Sequence, residues 1–293
     1  MENHNRIHWK KGLDISPEVF IRSDNYHIAE RNLLGRFLAA RTYGILPNSR
    51  FYIEKSLDYN RISISELECI AITNDGYLIN IQNDTPYPKK IEIEEHDDEL
   101  YLILSVDPYA LPVDEQELTH SATYSFVLQR IDEHIEKGIP ILKIIKEYQN
   151  WRIDEEYIPP AIALNAMDSL TQKYIDIKEV INEIIRKLPD EYPYYFQITM
   201  LHLELNSYSS QESPEELVLL MKKFSLIFQH YLTTVKNLEE STALKRFMNE
   251  PYLHHDMEKS LRTGFEALAD VNLKIDEKPV EEKEEIPEFE IKV

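Results

Sequence analysis

Two histidines and an aspartate stand side by side in the sequence, at His254, His255 and Asp256. Imidazole and carboxylate groups are the side chains that bind zinc or carry out acid–base catalysis. Adjacent residues of a helix point roughly 100° apart, whereas zinc sites on helices use histidines at positions i and i+4. We therefore interpret the cluster as polar contacts at a helix start, and a metal-dependent enzyme ranks last among the functions considered.

The other candidate reactive groups are equally weak. His202 and Glu204 have the His-x-Glu spacing of zinc deaminases, but the second, cysteine-containing half of that motif is missing. Cys69 is the single cysteine and lies at an apolar position of a predicted strand, which favours a buried, unreactive thiol. No phosphate-binding glycine loop or nucleophile elbow occurs. The sequence predicts a protein that is not an enzyme and has no cofactor or metal.

The charge balance restricts the class of partner. The 293 residues carry a formal net charge of -21, which argues against nucleic acid and against an anionic membrane surface, because both are bound by lysine and arginine. No apolar run approaches the roughly 20 residues that span a bilayer, and the N-terminus lacks the apolar segment of a secretory signal. We expect a cytoplasmic protein that binds other proteins.

The first segment with a clear pattern runs from Ile7 to Tyr26. It begins with an aromatic and basic cluster, continues through Gly12, and reaches Ser16 and Pro17, which are typical of a helix start. Apolar residues then recur at threes and fours, which predicts a helix over 17–42 that ends at Tyr43 and Gly44.

The next region, up to residue 156, has the two-residue period of strands. The alternation slips by one residue near Ser65, which predicts a β-bulge. A turn signal at 74–76 predicts a hairpin, and further strands are predicted at 99–106, 124–131 and 139–148. Short strands with frequent turn residues indicate an antiparallel β-sandwich, so the predicted fold is α+β, with a sandwich at 1–156.

The boundary of the sandwich is predicted at Ile158, Pro159 and Pro160, because consecutive prolines cannot continue a strand ladder. A bundle of long helices follows at 157–273, and 274–293 is an acidic tail that we expect to be flexible. The second helix is predicted at 192–208, the third begins with a capping box at Ser213 and runs toward Phe247, and the fourth covers 252–272.

The first bundle helix has an unbroken heptad pattern, spaced alternately by three and four residues. The apolar positions are Met167, Leu170, Tyr174, Ile177, Ile181, Ile184 and Leu188. Isoleucine at both seam positions favours three or more strands over two. The pattern predicts that Leu170, Tyr174, Ile177, Ile181, Ile184 and Leu188 join three copies of the chain.

Four short motifs, in order, resemble those of the TssK family, the baseplate subunits of type VI secretion systems. The first motif is matched by His8, Trp9, Gly12, Pro17, Phe20, Asp24 and Tyr26. The second is Tyr43 and Gly44; the third is Tyr157, Ile158, Pro159 and Pro160; the fourth is Pro251, Tyr252, His254 and Asp256. Each motif falls at an expected structural junction, and together they cover about residues 7 to 272.

The resemblance implies a structural homotrimer with an N-terminal shell domain, a helical neck and a C-terminal head. It implies that the shell binds the TssF–TssG wedge of the baseplate and that the protein helps connect the baseplate to the membrane-anchored part, at the inner face of the cytoplasmic membrane. We assign His8, Trp9, Gly12, Pro17 and Phe20 as candidate wedge-binding residues. Only about twenty residues follow the last bundle helix, so we expect a divergent form without the head domain.

Two alternatives stay open. A receptor-binding or tail-fibre adaptor of a phage-like particle would share the sandwich and the bundle. The tail alternates apolar with charged residues at Phe289, Ile291 and Val293, and such a strip can add to the sheet edge of a partner. A component of the membrane complex is a candidate for that partner. The competing interpretation of the tail is a solvated, acidic terminus.

Overall fold

A computed structural model describes residues 6–39, 43–82, 85–94, 97–109, 122–131, 135, 137–148, 150–189, 191–208 and 211–276. It contains antiparallel sheets and helices, so the predicted α+β class is confirmed. Among these residues, no helix combines the length and apolar character needed to cross a bilayer. The chain divides into two compact units: Met1–Tyr174 with Tyr208–Leu217 and Tyr252–Lys259, and the remaining segments.

The first unit contains two antiparallel sheets. The strands of the first sheet are β1 Gly44–Ile45, β2 Tyr52–Asp58, β3 Arg61–Ile72, β4 Leu78–Ile81 and β5 Lys90–Glu92. The strands of the second, in spatial order, are β7 Thr123–Gln129, β6 Glu99–Asp107, β8 Ile139–Glu147 and β9 Asn150–Ile153. The long strand β3 pairs with all four other strands of its sheet, so it is the central strand of that sheet.

Two local predictions in this region are confirmed. Glu54 pairs with Glu66 and Lys55 pairs with Ile64, which leaves Ser65 as the extra residue of a bulge. Its hydroxyl donates to the carboxylate of Glu54 at 2.5 Å. The predicted hairpin is also present, since β3 and β4 pair across the turn at 73–77.

The bulge is what lets β3 bury alternate side chains over its full length. Ile62 and Ile64 precede the extra residue, and Leu67, Cys69 and Ala71 follow it; all five are at most 1% exposed. Because the side-chain period of a strand is two, the odd apolar spacing would otherwise turn half of the strand outward.

The helices are α1 Pro17–Ala39, α2 Asp168–Lys187, α3 Tyr195–Ser207, α4 Pro214–Thr234, α5 Thr242–Asn249 and α6 Met257–Lys274. The predicted capping box begins α4: the Ser213 hydroxyl accepts from the Glu216 amide, and the Glu216 carboxylate accepts from the Ser213 amide, both at 3.3 Å.

The third bundle helix ends earlier than its apolar pattern suggested. It stops at Thr234, Asn237 adopts a positive φ of 53°, and α5 begins after Ser241, whose hydroxyl caps the Leu244 amide. Phe247, at the far end of the predicted helix, belongs to this separate short helix. Periodicity alone missed the break because Ser241 is a helix cap inside a continuous apolar pattern.

The second unit is a helical bundle. Asn182 of α2 contacts His202 of α3 at 2.8 Å. Gly264 of α6 packs closely against α4 and α5. A Cβ on this residue would lie 2.4 Å from Met221 Cε and 2.8 Å from the Phe247 ring. These contacts involve residues of five helices. The buried residues of the unit include Phe224 and Phe228, which are fully buried and have stacked rings.

Candidate interaction surfaces

The N-terminal segment presents its aromatic residues to solvent. Trp9 is 53% exposed and Phe20 is 54% exposed, and their ring centroids lie 6.4 Å apart. Gly12 lies between them with φ of 86°, and Leu13 donates to the Lys10 carbonyl, so the chain reverses and brings the tryptophan back to the helix. His8, Gly12 and Pro17 are exposed as well, so all five predicted wedge-binding residues are accessible to a partner.

Helix α1 is attached to the first sheet near its C-terminal end. Asn32 Nδ2 and Arg36 Nε both donate to the carbonyl of Asp75, at 2.9 and 3.0 Å. A Cβ on Gly35 would lie 2.0 Å from the carbonyl oxygen of Gly76, so only glycine allows this approach. No residue of the helix before Gly35 is buried, which leaves most of α1 available to a partner.

Two motifs that are distant in sequence meet at β1. Gly44 has φ of 127°, and a Cβ there would lie 2.2 Å from the carbonyl oxygen of Pro160. Ile45 then donates to that carbonyl at 2.8 Å and accepts from Ile162 at 3.0 Å. The predicted junction residues therefore form a hydrogen-bonded contact with β1, and Ile158 is buried there at 3% exposure.

The fourth motif joins the same place through His254. Its Nε2 lies 2.6 Å from the carbonyl oxygen of Tyr43, and its Nδ1 lies 3.1 Å from the hydroxyl of Tyr252. A carbonyl only accepts, so Nε2 carries the proton and Nδ1 accepts from the tyrosine. Burial lowers the pKa of His254, which the hydrogen bond to Tyr43 partly offsets. Both nitrogens are occupied, so the imidazole acts as a neutral bridge.

The neighbouring Asp256 makes a buried ion pair. Its carboxylate lies 2.9 Å from Lys143 Nζ of β8 and accepts from the Tyr101 hydroxyl at 3.2 Å. The same carboxylate accepts from the Lys259 amide at 3.4 Å and so caps the start of α6. Burial lowers the pKa of Lys143, but Asp256 and Glu99 outweigh it and the net shift is upward. The lysine is therefore held charged.

Tyr157 and His255 complete the cluster. The Tyr157 hydroxyl donates to the His255 carbonyl at 2.9 Å, and its ring packs edge-on against Tyr101. Burial raises the pKa of Tyr157 and of Tyr101, and nearby carboxylates raise both further. Burial lowers the pKa of His255, which the carboxylate of Asp256 partly offsets. The arrangement is a packed polar core in which these side chains contact one another.

The other candidate reactive groups, which are His202, Glu204 and Cys69, lie outside this cluster. Glu204 pairs with Lys223 at 2.9 Å, so His202 and Glu204 have different partners. Cys69 is fully buried, and burial raises the pKa of its thiol to about 12. Within the described ranges, no three histidine, cysteine or acidic residues are grouped as metal ligands.

The helical seam predicted to join three chains is already buried within a single chain. The side chains predicted to join three chains are between 0% and 8% exposed in a single chain: Leu170, Tyr174, Ile177, Ile181, Ile184 and Leu188. Apolar groups already packed within one chain gain no further burial from a neighbouring copy. The heptad is therefore accounted for inside the chain and does not argue for a contact between chains.

A different face of the bundle, which the heptad pattern does not include, is apolar and exposed. On α3, Phe196, Met200 and Leu203 are 73%, 50% and 58% exposed. On α4, Leu219 and Leu226 are 52% and 65% exposed. The Glu204–Lys223 pair joins the two helices. We call these five apolar residues the α3–α4 face. Their spacing by three, four and seven residues was the available signal.

The candidate tail residues Phe289, Ile291 and Val293 lie outside the described residues. Every other predicted site residue is described, and the structure brings three of the four motifs into one buried cluster in the first unit. The motifs at Gly44, Pro160 and His254 therefore have an architectural role, while the motif around Trp9 is the exposed one.

Comparisons with known proteins agree on one architecture. No protein-family model and no curated protein matches the chain. A crystal structure of TssK matches with a TM-score of 0.59 and 13% identity, over 92% of this chain and 69% of that one. A chain of the TssK-TssF-TssG baseplate subcomplex of a type VI secretion system matches with a TM-score of 0.58 and 16% identity, over 92% and 99%.

TssK from EAEC in complex with nanobody nb18 matches with a TM-score of 0.57 and 12% identity, over 86% of this chain and 68% of that one. At such identities the likeness concerns the fold, and it extends over both the sheets and the helices. The ordered motifs and the architecture together lead to one statement: this chain has the fold of TssK.

Proposed function

We propose that this protein is a structural subunit of a type VI secretion baseplate. The observation that carries the proposal is the match over 92% of the chain to a chain of the TssK-TssF-TssG baseplate subcomplex. The packed polar cluster supports a role without catalysis, since each reactive group in it is used to join elements. The protein acts through the surfaces that it presents to its neighbours.

The first such surface binds the wedge, formed by TssF- and TssG-like proteins. Its centre is the exposed pair Trp9 and Phe20, because large aromatic side chains provide much of the binding energy at protein interfaces. Arg6, Lys10 and Lys11 place positive charge beside this pair in a chain of net charge -21. An acidic surface on the wedge would be attracted to this segment and repelled by most of the remaining surface.

The second surface joins three copies of the chain. The α3–α4 face supports this role because it exposes five large apolar side chains on two adjacent helices. Helix α3 buries only Ile198 and Leu205 in the single chain. Its apolar residues Phe196, Met200 and Leu203 stay exposed, and contact with another copy would remove them from water.

Assembled baseplates would hold the protein at the inner face of the cytoplasmic membrane, where it helps connect the baseplate to the membrane-anchored part. The tail residues Phe289, Ile291 and Val293 are a candidate contact with a component of that part. Removing the residues after Asp276 tests this role, and unchanged binding of the membrane-anchored part would exclude it.

The central test is co-expression with TssF- and TssG-like proteins of the same organism, followed by affinity purification and light scattering. We expect a complex with the wedge and a mass of three chains for the isolated protein. A chain that stays monomeric and retains neither protein would refute the proposal. Trimers without wedge binding would instead favour the phage-like adaptor.

A further inference from the structure

The two helices that carry the α3–α4 face have a charge balance unlike that of the whole chain. Helix α3 contains one carboxylate, Glu204, and α4 beyond its first turn contains two lysines, Lys222 and Lys223, and no acidic residue. A chain of net charge -21 therefore has a slightly positive surface beside five exposed apolar side chains. An acidic segment that also contains apolar residues would complement both properties.

The tail of the same chain has that composition. Residues 277–293 contain seven glutamates and three lysines. They also contain Ile286 and, at alternate positions, Phe289, Ile291 and Val293. In an extended segment, alternate residues point to the same side, so one side of the tail would be apolar and the other charged. The apolar side would cover the exposed side chains of the α3–α4 face.

The described part of the chain ends beside the connection from α2 to α3. Lys187, the last residue of α2, donates to the Asn272 carbonyl at 3.0 Å and to the Asp276 carboxylate at 2.6 Å. Phe196 follows Lys187 by nine residues, so their Cα atoms lie at most about 30 Å apart, and turns in this connection shorten that distance. The ten residues from Asp276 to Ile286 span up to about 33 Å. The tail is long enough to reach the face of its own chain.

The near end of the face is the end beside Asp276. Helix α3 runs away from that end, so Met200 and Leu203 lie progressively farther along it. The Tyr192 hydroxyl, just before α3, donates to the Ile227 carbonyl of α4 at 3.2 Å, which places Leu226 at the near end as well. Seven helical residues separate the first and last apolar residues of α3, which is about 10 Å. Three or four extended residues cover that length, as many as the apolar strip of the tail provides.

We propose that residues 286–293 dock on the α3–α4 face of their own chain. The consequence for assembly rests on the proposed function, in which the same face joins copies of the chain. The tail and a second copy then compete for one surface. A chain whose tail is docked stays single, and assembly displaces the tail. The displaced residues Phe289, Ile291 and Val293 become available to the membrane-anchored part.

The competition favours the docked tail at low protein concentration. A segment tethered by about ten residues has an effective concentration near its site in the millimolar range. Where the tail covers the face in about nine of ten chains, only one chain in ten is competent to assemble. The apparent affinity between copies is then about tenfold lower. The tail would thus delay assembly until chains accumulate or a partner binds the tail.

Photo-crosslinking of the purified full chain tests the docking. p-Benzoylphenylalanine replaces Phe289, and the irradiated products are separated by mass, digested and analysed by mass spectrometry. We expect crosslinks to peptides of α3 or α4 in a product with the mass of one chain. Crosslinks only in a product of two chains would mean that the tail docks on a neighbouring copy. Crosslinks to other peptides, or none, would mean that the face is not its site, and each of these results overturns the proposal.

Two matched substitutions in the chain with the photoreactive residue test the role of the face. Leu203 and Val127 are 58% and 50% exposed, and only Leu203 belongs to the face. Leu203→Glu should reduce the yield of the crosslink to α3 and α4 at least about tenfold, because the added charge repels the acidic tail. Val127→Glu, on β7, should leave the yield unchanged. Equal yields from the two variants would contradict docking on this face.

The concentration at which the chains assemble tests the competition. Phe289→Ser combined with Ile291→Ser and Val293→Ser removes the apolar strip and alters no described residue. In light scattering over a dilution series, we expect half-assembly of this variant at a concentration at least about tenfold lower than for the unaltered chain. An unchanged midpoint would overturn the competition. If neither chain assembles at any concentration, the contact between copies in the proposed function is refuted, and the Phe289 crosslink alone decides the docking.

Discussion

His254 Nε2 lies 2.6 Å from the carbonyl oxygen of Tyr43, a residue 211 positions earlier in the chain. The imidazole ring also packs edge-on against the Tyr43 ring, with centroids 4.6 Å apart. The residue after Tyr43 begins β1, which bonds to the Pro160 carbonyl. The neutral imidazole of His254 and the close approach of Gly44 to Pro160 thereby hold three short sequence motifs together.

The protonation of His254 predicts a dependence of stability on pH. Its folded pKa lies below the ordinary value of 6.5, so the unfolded chain binds the proton more readily. The stability that neutral His254 contributes to the fold is fully present above pH 6.5 and is lost as the pH falls through the folded pKa. We expect Tm to fall between pH 7 and pH 5 and His254→Gln to reduce that dependence. Thermal unfolding across this range measures it, with His8→Gln as the control for losing an exposed imidazole.

Removal of Lys143 is expected to leave a buried carboxylate without its cation. Asp256 and Lys143 are 4% and 8% exposed. Lys143→Met should lower the free energy of unfolding by about 3–5 kcal/mol, because the charge of Asp256 stays buried. Arg152→Met breaks the exposed Glu147 pair and should cost less than about 1 kcal/mol. Equal losses in urea unfolding would contradict the buried-pair argument.

Gly44 and Gly12 form a matched pair for testing backbone constraints. Both have positive φ, but a Cβ on Gly12 meets nothing within 4 Å, whereas one on Gly44 would lie 2.2 Å from the Pro160 carbonyl oxygen. We expect Gly12→Ala to cost about 1–2 kcal/mol, for the backbone conformation alone. Gly44→Ala should cost at least about 3 kcal/mol, since overpacking adds to that strain. A similar Tm for the two variants would refute the contact.

A negative charge introduced on the buried face of the bundle should unfold it, whereas one introduced on the exposed α3–α4 face should change only the assembly. Ile181 is fully buried, so Ile181→Asp is expected to unfold the bundle by burying an unpaired charge. Leu203 is 58% exposed, so Leu203→Glu should leave the helical circular dichroism intact and reduce the mass from three chains to one. A folded Ile181→Asp monomer would restore the heptad as the contact between chains, and a trimeric Leu203→Glu variant would exclude the α3–α4 face.

The N-terminal aromatic pair should be needed for wedge binding and not for folding. Trp9→Ala with Phe20→Ala removes two rings that are both more than half exposed. We expect the affinity for TssF- and TssG-like proteins to fall at least about thirtyfold, the size of an interface hot spot of about 2 kcal/mol. Val127→Ala, at a residue 50% exposed on β7, is the control. Unchanged affinity in interferometry would exclude the pair as the contact.

Local patterns in the sequence determined much of this protein. The bulge at Ser65, the hairpin after β3 and the capping box at Ser213 are present because each depends on residues within a few positions of one another. The α+β order, from strands to helices, is determined in the same way by the change in apolar period.

The partner of each apolar face was decided only by the tertiary structure. A heptad shows that Ile181 must be buried, but the same pattern is satisfied by helices of one chain or by helices of three chains. The cluster around His254 likewise depends on carbonyl groups of Tyr43 and His255, which every residue possesses and no motif marks. The sequence specifies which groups need partners, and chain packing determines which partners come within reach.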